Sequence, residues 1–121
     1  MNENLISKIN NEIFMLKLSI DSFKNAYEKK FNNETIKKLS ETAARIYKDF
    51  SINATKGIPL TTAKRDAFLH ILNNMKNEIS TIKSDDRLVN YEIADMIKKM
   101  DTITSLLKKL RTKNKRITKK Y

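Results

Sequence analysis

The chain has 121 residues, a formal net charge of +11 and no Cys. That length suits a single domain with a core of its own, and the lack of Cys rules out disulfides and thiolate metal sites and fits a cytosolic setting. One Gly and one Pro are too few for a turn-rich sheet protein, so the composition points to long helices with few connections.

The first residues, Met1-Asn2-Glu3-Asn4, carry no basic stretch leading into an apolar run, the pattern of a secretory signal. The most apolar early run, Ile13 to Ile20, contains Lys17. No stretch approaches the roughly 20 apolar residues that span a bilayer. The expectation is a soluble, cytoplasmic protein.

Apolar residues mark four helical stripes. The first runs Ile6, Ile9, Ile13, Leu16, Ile20, Phe23 and Tyr27, spaced alternately three and four apart. That spacing keeps every member on one face of a helix. Leu5, Phe14, Leu18 and Phe31 widen the stripe. Asn32-Asn33-Glu34 breaks it, with Asn33 as the expected N-cap of the next helix. The second stripe is Ile36, Leu39, Ala43, Ile46 and Phe50, with Tyr47 beside it. Gly57 followed by Pro59 is a helix stop.

Thr61-Thr62 supplies the next cap. The third stripe is Phe68, Leu72, Met75, Ile79 and Ile82, with Ala67 and Ile71 alongside. Ser84-Asp85-Asp86 reads as a turn and a new cap. The fourth stripe is Val89, Ile93, Met96, Met100, Ile103, Leu107 and Leu110. Ile117 lies one heptad beyond Leu110, which predicts that the fourth helix runs on into the basic C-terminus. Each stripe has a polar opposite face and must be buried against the others. Short connections make successive helices antiparallel neighbours. The predicted fold is therefore all-α: an up-down-up-down four-helix bundle over residues 1–110, with a basic tail at 111–121 extending helix 4. In that topology the tail shares one pole with Lys56, Lys64 and Arg65.

Charge is the main functional signal. Between Lys108 and Lys120 stand eight basic residues, Lys108, Lys109, Arg111, Lys113, Lys115, Arg116, Lys119 and Lys120, with no acid among them. Taking these eight from the 25 basic residues leaves 17 against 14 acids, so the body is near balance. Such a cluster attracts phosphate backbones, because binding releases condensed counterions. Anionic lipid headgroups attract it too, and a solvated tail that complements the helix dipole is the simplest alternative. No aromatic residue interleaves with the cations before Tyr121, so base stacking is not expected and contacts should follow the backbone with little sequence preference.

Lys64 and Arg65 fall in the first turn of the third helix, where the dipole disfavours cations. A bound phosphate would offset that, since free N–H groups there form an anion site. Asp66 is the simpler counter-charge. The glycines of a P-loop are missing.

The only His is His70. The segment Arg65-Asp66-Ala67-Phe68-Leu69-His70 resembles the R-x4-H pattern of HEPN-type ribonucleases, including a polar residue directly after the Arg. That resemblance implies a metal-independent RNase or toxin acting as a dimer. The His would move protons near neutral pH, and the Arg would stabilise charge on the scissile phosphate. Five residues of helix set the two side chains about 140° apart, so they would converge only at a dimer groove.

Met75, Met96 and Met100 lie on core stripes and read as packing residues. The spacing of acids and the single His provide no di-metal site, and no cofactor is expected. In size, basicity and helical layout the chain also resembles bacteriocin immunity proteins, which would imply a protein or membrane partner, as would an inhibitor encoded by a mobile element. The leading expectation is a non-enzymatic nucleic-acid-binding or accessory protein, binding DNA or RNA backbone as a monomer or homodimer. The alternatives are a small interaction protein docking on a protein or anionic membrane face, and the HEPN-like RNase using Arg65 and His70.

Overall fold

A computed structural model describes residues 2–31 and 34–110. Among them are four helices and no strand: α1 (Asn2–Phe31), α2 (Glu34–Lys56), α3 (Thr62–Ile79) and α4 (Arg87–Lys109). The helices pack in a ring, α1 on α2, α2 on α3, α3 on α4 and α4 back on α1. None of the four is long and apolar enough to cross a membrane. Asn32 and Asn33, the expected turn and cap before α2, lie outside the described residues, as do 111–121.

The stripes form the core. Ile9, Ile13, Leu16, Ile20 and Phe23 of α1 are buried against Ile36, Leu39, Ala43, Ile46 and Phe50 of α2 and the corresponding faces of α3 and α4. Each Ile, Leu or Phe among them contributes about 1.5–3 kcal/mol by leaving water. Met75, Met96 and Met100 are buried with them, filling gaps that branched side chains leave. Tyr27 and Tyr47 pack half-buried at the margin. Phe14 and Leu18, which widen the first stripe in sequence, are largely exposed.

The caps follow the local chemistry. Thr61 is extended and its side chain accepts from the Lys64 N–H, opening α3. Asp86 does the same for the Leu88 N–H and opens α4. Gly57 sits at φ 65°, the left-handed conformation that ends a helix at little cost only for Gly. The Ile58 N–H then reaches back to the Asn53 carbonyl at 3.1 Å, the six-to-one bond of a Schellman stop. Asn53 is buried, and its Nδ2 donates to the Ile58 carbonyl at 3.3 Å. One Asn therefore holds the start of the connection by both its backbone and its side chain.

Two helix ends differ from the sequence reading. The third stripe extends to Ile82, but α3 ends at Ile79. The Ser80 hydroxyl donates to the Lys76 carbonyl and the Thr81 hydroxyl to the Glu78 carbonyl. The Glu78 carbonyl, which further helix would have given to the Ile82 N–H, takes the Thr81 N–H as well, the Ile82 N–H goes to the Ile79 carbonyl, and Ile82 is buried from the connection instead. The α4 helix ends at Lys109, with Leu110 extended (φ −73°, ψ 131°) and buried. The expected continuation through Ile117 lies outside the described residues.

Polar pairs link the helices at defined levels. The Ser40 hydroxyl donates to Asp21 at 2.8 Å, and the Ser51 hydroxyl donates to Asn10 at 2.9 Å. Lys76 reaches Asp101 at 2.9 Å across α3 and α4. Desolvation works to raise the pKa of Asp21, but hydrogen bonds from Ser40 and Lys17 outweigh it, with the charges of Lys17 and Lys24 adding to them. The net shift is below the ordinary 3.8. A carboxylate with a depressed folded pKa stabilises the fold above its unfolded pKa, and that contribution is lost as pH falls through the folded value. Asp21→Asn should therefore reduce stability near neutrality and flatten its fall below about pH 4. Urea unfolding at pH 7 and pH 3 checks this; an unchanged acid slope contradicts it.

Candidate nucleic-acid interface

Cations of the described residues stand both along the helices and at their ends. Three lysines within the helices are paired with acids. Lys17 bonds Asp21 one turn on, Lys99 bonds Asp95 one turn back, and Lys76 bonds Asp101 on the next helix. Lys108 and Lys109 stand exposed in the last turn of α4. Lys56 is exposed in the last turn of α2, and Lys64 is exposed near the start of α3. Among the described residues no ion pair engages these four lysines. Two of the sites suit a cation: the ends of α2 and α4 favour positive charge through the helix dipole, which stabilises Lys56, Lys108 and Lys109 where they are.

The start of α3 is different. It has no acid in its first turn. The Thr61 hydroxyl takes the Lys64 N–H at 3.1 Å, and the Thr61 carbonyl takes the Arg65 N–H at 2.9 Å. The cap therefore uses part of the anion-binding capacity of this terminus. Arg65 is half-buried, and its Nε and Nη2 both donate to one oxygen of Asp66, at 3.2 and 3.1 Å. Asp66 is the counter-charge for the first turn, and it lies next to Arg65 in sequence.

Clefts show which segments lie together. One of about 470 Å³ is bounded by Ile6 and Asn10 of α1, Asn53 of α2, and Ile58 and Pro59 of the connection. The start of α1 thus sits beside the end of α2. Another, of about 400 Å³, sets Lys108 at the end of α4 against Leu69 near the start of α3.

His70 is exposed on α3, as its position opposite Phe68 and Leu72 on the helical wheel predicts. Among the described residues, no hydrogen bond or ion pair joins it to Arg65. The remaining predicted phosphate ligands, Arg111, Lys113, Lys115, Arg116, Lys119 and Lys120, lie outside the described residues. Among the described residues, no group of three or more His, Asp or Glu side chains is placed to hold a metal ion.

Buried Asn53 and the Tyr27–Glu92 pair were not singled out in the sequence. Asn53 falls three residues after Phe50, at the next step of the second stripe, which is the signal that it faces inward. The Tyr27 hydroxyl donates to Glu92 Oε1 at 2.7 Å. That bond, with desolvation and the nearby carboxylates of Glu92 and Asp86, raises the tyrosine pKa above its ordinary 10.0. The two residues are 65 positions apart, and nothing local in sequence connects them.

Comparison of the chain with protein-family models, curated proteins and solved structures yields no match.

Proposed function

We propose that this is a non-enzymatic nucleic-acid-binding or accessory protein that grips the phosphate backbone with a basic pole. The observation that carries the reading is the run of eight basic residues from Lys108 to Lys120 with no acid among them, which begins in the last turn of α4, where Lys108 and Lys109 are exposed and no ion pair among the described residues engages them. An up-down-up-down arrangement of the four helices gathers the ends of α2 and α4 with the start of α3. Its support is that residue numbers run in opposite senses across α1 and α2, Asp21 meeting Ser40 and Asn10 meeting Ser51. In that arrangement Lys56, Lys64, Lys108 and Lys109 adjoin the segment holding Arg111, Lys113, Lys115, Arg116, Lys119 and Lys120. Phosphates would meet this pole through charge rather than base edges. Location in the cytoplasm belongs to the same reading.

Anisotropy of labelled duplex DNA tests it. Joint replacement of Lys64, Lys108 and Lys109 by Gln should weaken binding on all sequences alike. It should also reduce the salt slope by about 1 for each phosphate that is no longer neutralised. An unchanged slope overturns the role of these three.

Two features support the non-enzymatic reading over the HEPN-like one. The Arg65 guanidinium is engaged by Asp66, and a five-residue offset turns His70 about 140° away from it. Single-stranded RNA incubated with the protein in EDTA should remain intact, equally for the wild type and for His70→Ala. Cleavage that disappears in His70→Ala would establish the RNase instead.

A further inference from the structure

The groove between α1 and α4 has a character opposite to that of the basic pole. Its apolar lining is Met15, Leu18, Tyr91 and Met96, and its charged lining is Glu92 and Asp95. Two serine hydroxyls complete it, and among the described residues no Lys or Arg side chain lines it, in a chain with 25 basic residues against 14 acids. Met15 is 44% exposed, Leu18 43% and Tyr91 70%, with Leu88 at 59% one turn before Tyr91. An exposed Tyr beside Met and Leu is the composition of an interface centre rather than of an ordinary helix surface. Both acids have partners within the chain, Tyr27 on Glu92 and Lys99 on Asp95. An ionised carboxylate has about four acceptor sites, so each retains capacity for a further donor.

We propose that this groove is a docking surface for a lysine- or arginine-rich amphipathic segment of a partner protein, its apolar side chains on Met15, Leu18 and Tyr91 and its cations on Glu92 and Asp95. Charge selects the occupant. Nucleic acid, an anionic membrane or an acidic peptide would bring negative charge against Glu92 and Asp95 in a groove whose lining includes no Lys or Arg among the described residues, with Lys99 paired to Asp95 from beside it. A two-fold contact with a second copy would set the same patch against itself, opposing Glu92 and Asp95 to their own counterparts. A basic segment avoids both conflicts, and a groove between two helices suits a third laid along it. The site is separate from the proposed phosphate grip, so either can fail without the other.

The methionines supply probes at known places. Met15 and Met96 line this groove, Met100 lines the α3/α4 groove, and Met75 lines the α2/α3 groove. The full chain with 13C-methyl methionine is titrated at low salt with two synthetic amphipathic peptides. Both carry the same Leu pattern, one with Lys and one with Glu at the polar positions. The Lys peptide should shift the Met15 and Met96 methyls and leave those of Met75 and Met100 in place. Read at Met15 and Met96, it should bind about tenfold or more tightly than the Glu peptide. Tyr91→Ala, at a position too exposed to unsettle the core, should weaken it about tenfold or more, as loss of an interface anchor does. Equal effects of the two peptides at Met15 and Met96, no shift there, or indifference to Tyr91→Ala overturns the proposal. Shifts at these methyls that grow with protein concentration alone, without peptide, also overturn it, in favour of a second copy as occupant.

Discussion

Phe50→Ala should destabilise the fold by about 3–5 kcal/mol, the usual cost of truncating a buried Phe. Phe50 is 1% exposed and meets Phe68 edge-on, with ring centroids 5.5 Å apart and planes at 65°. It lies on α2 and Phe68 on α3, so the pair joins the two halves of the bundle across the Gly57 connection. Truncation removes the transfer energy of the ring and its packing on Phe68, and leaves a cavity that close-packed neighbours refill only in part. Domains of this size have about 5–15 kcal/mol of stability in total, so the loss is a large share of it. Tyr91→Ala removes another aromatic ring, but from a position 70% exposed, and should change stability by no more than about 0.5 kcal/mol. Urea unfolding of the two variants side by side separates buried from exposed aromatics. Similar losses in both would contradict this account of the core.

The core was the most legible part in sequence, because alternation of three and four has one physical meaning, a helix with a single buried face. Ile9 to Phe23, Ile36 to Phe50 and Val89 to Leu107 occupy the places their spacing assigns them. The pattern fails at helix ends. Ile82 and Leu110 continue their stripes by count and are buried, yet both lie past the last helical residue. Burial requires only that the chain keep to the core, and a connection does that as well as a helix. Leu60, buried within the connection, follows no period and left no signal. The stops and caps at Gly57, Thr61 and Asp86 were readable because each depends on one residue's own chemistry.

The candidate sites divide similarly. The Arg65–Asp66 pair was legible because its members are adjacent. The exposure of His70 followed from its place on the wheel. The acidic character of the α1/α4 groove was not legible, since it depends on α4 lying against α1.

The other large effect concerns salt. If five or six of the cations meet phosphates on duplex DNA, the slope of log affinity against log salt is about −5. Raising salt from 50 to 200 mM, a fourfold change, then costs about a thousandfold in affinity at that slope. Binding led by base edges or by an apolar surface would lose far less over the same range. The eight clustered cations set the expected size of the effect, and the absence of interleaved aromatics leaves little salt-resistant stacking to mask it.

The most direct test is fluorescence anisotropy with labelled duplex DNA and single-stranded RNA, from 50 to 200 mM salt. It compares the full chain with one truncated after Leu110. That end point keeps the buried Leu110 and the whole described core and removes Arg111, Lys113, Lys115, Arg116, Lys119 and Lys120. A basic-pole grip predicts micromolar or tighter binding by the full chain, falling steeply with salt, and a large loss on truncation. Equal binding by both forms, or none by the full chain at 50 mM salt, would contradict it.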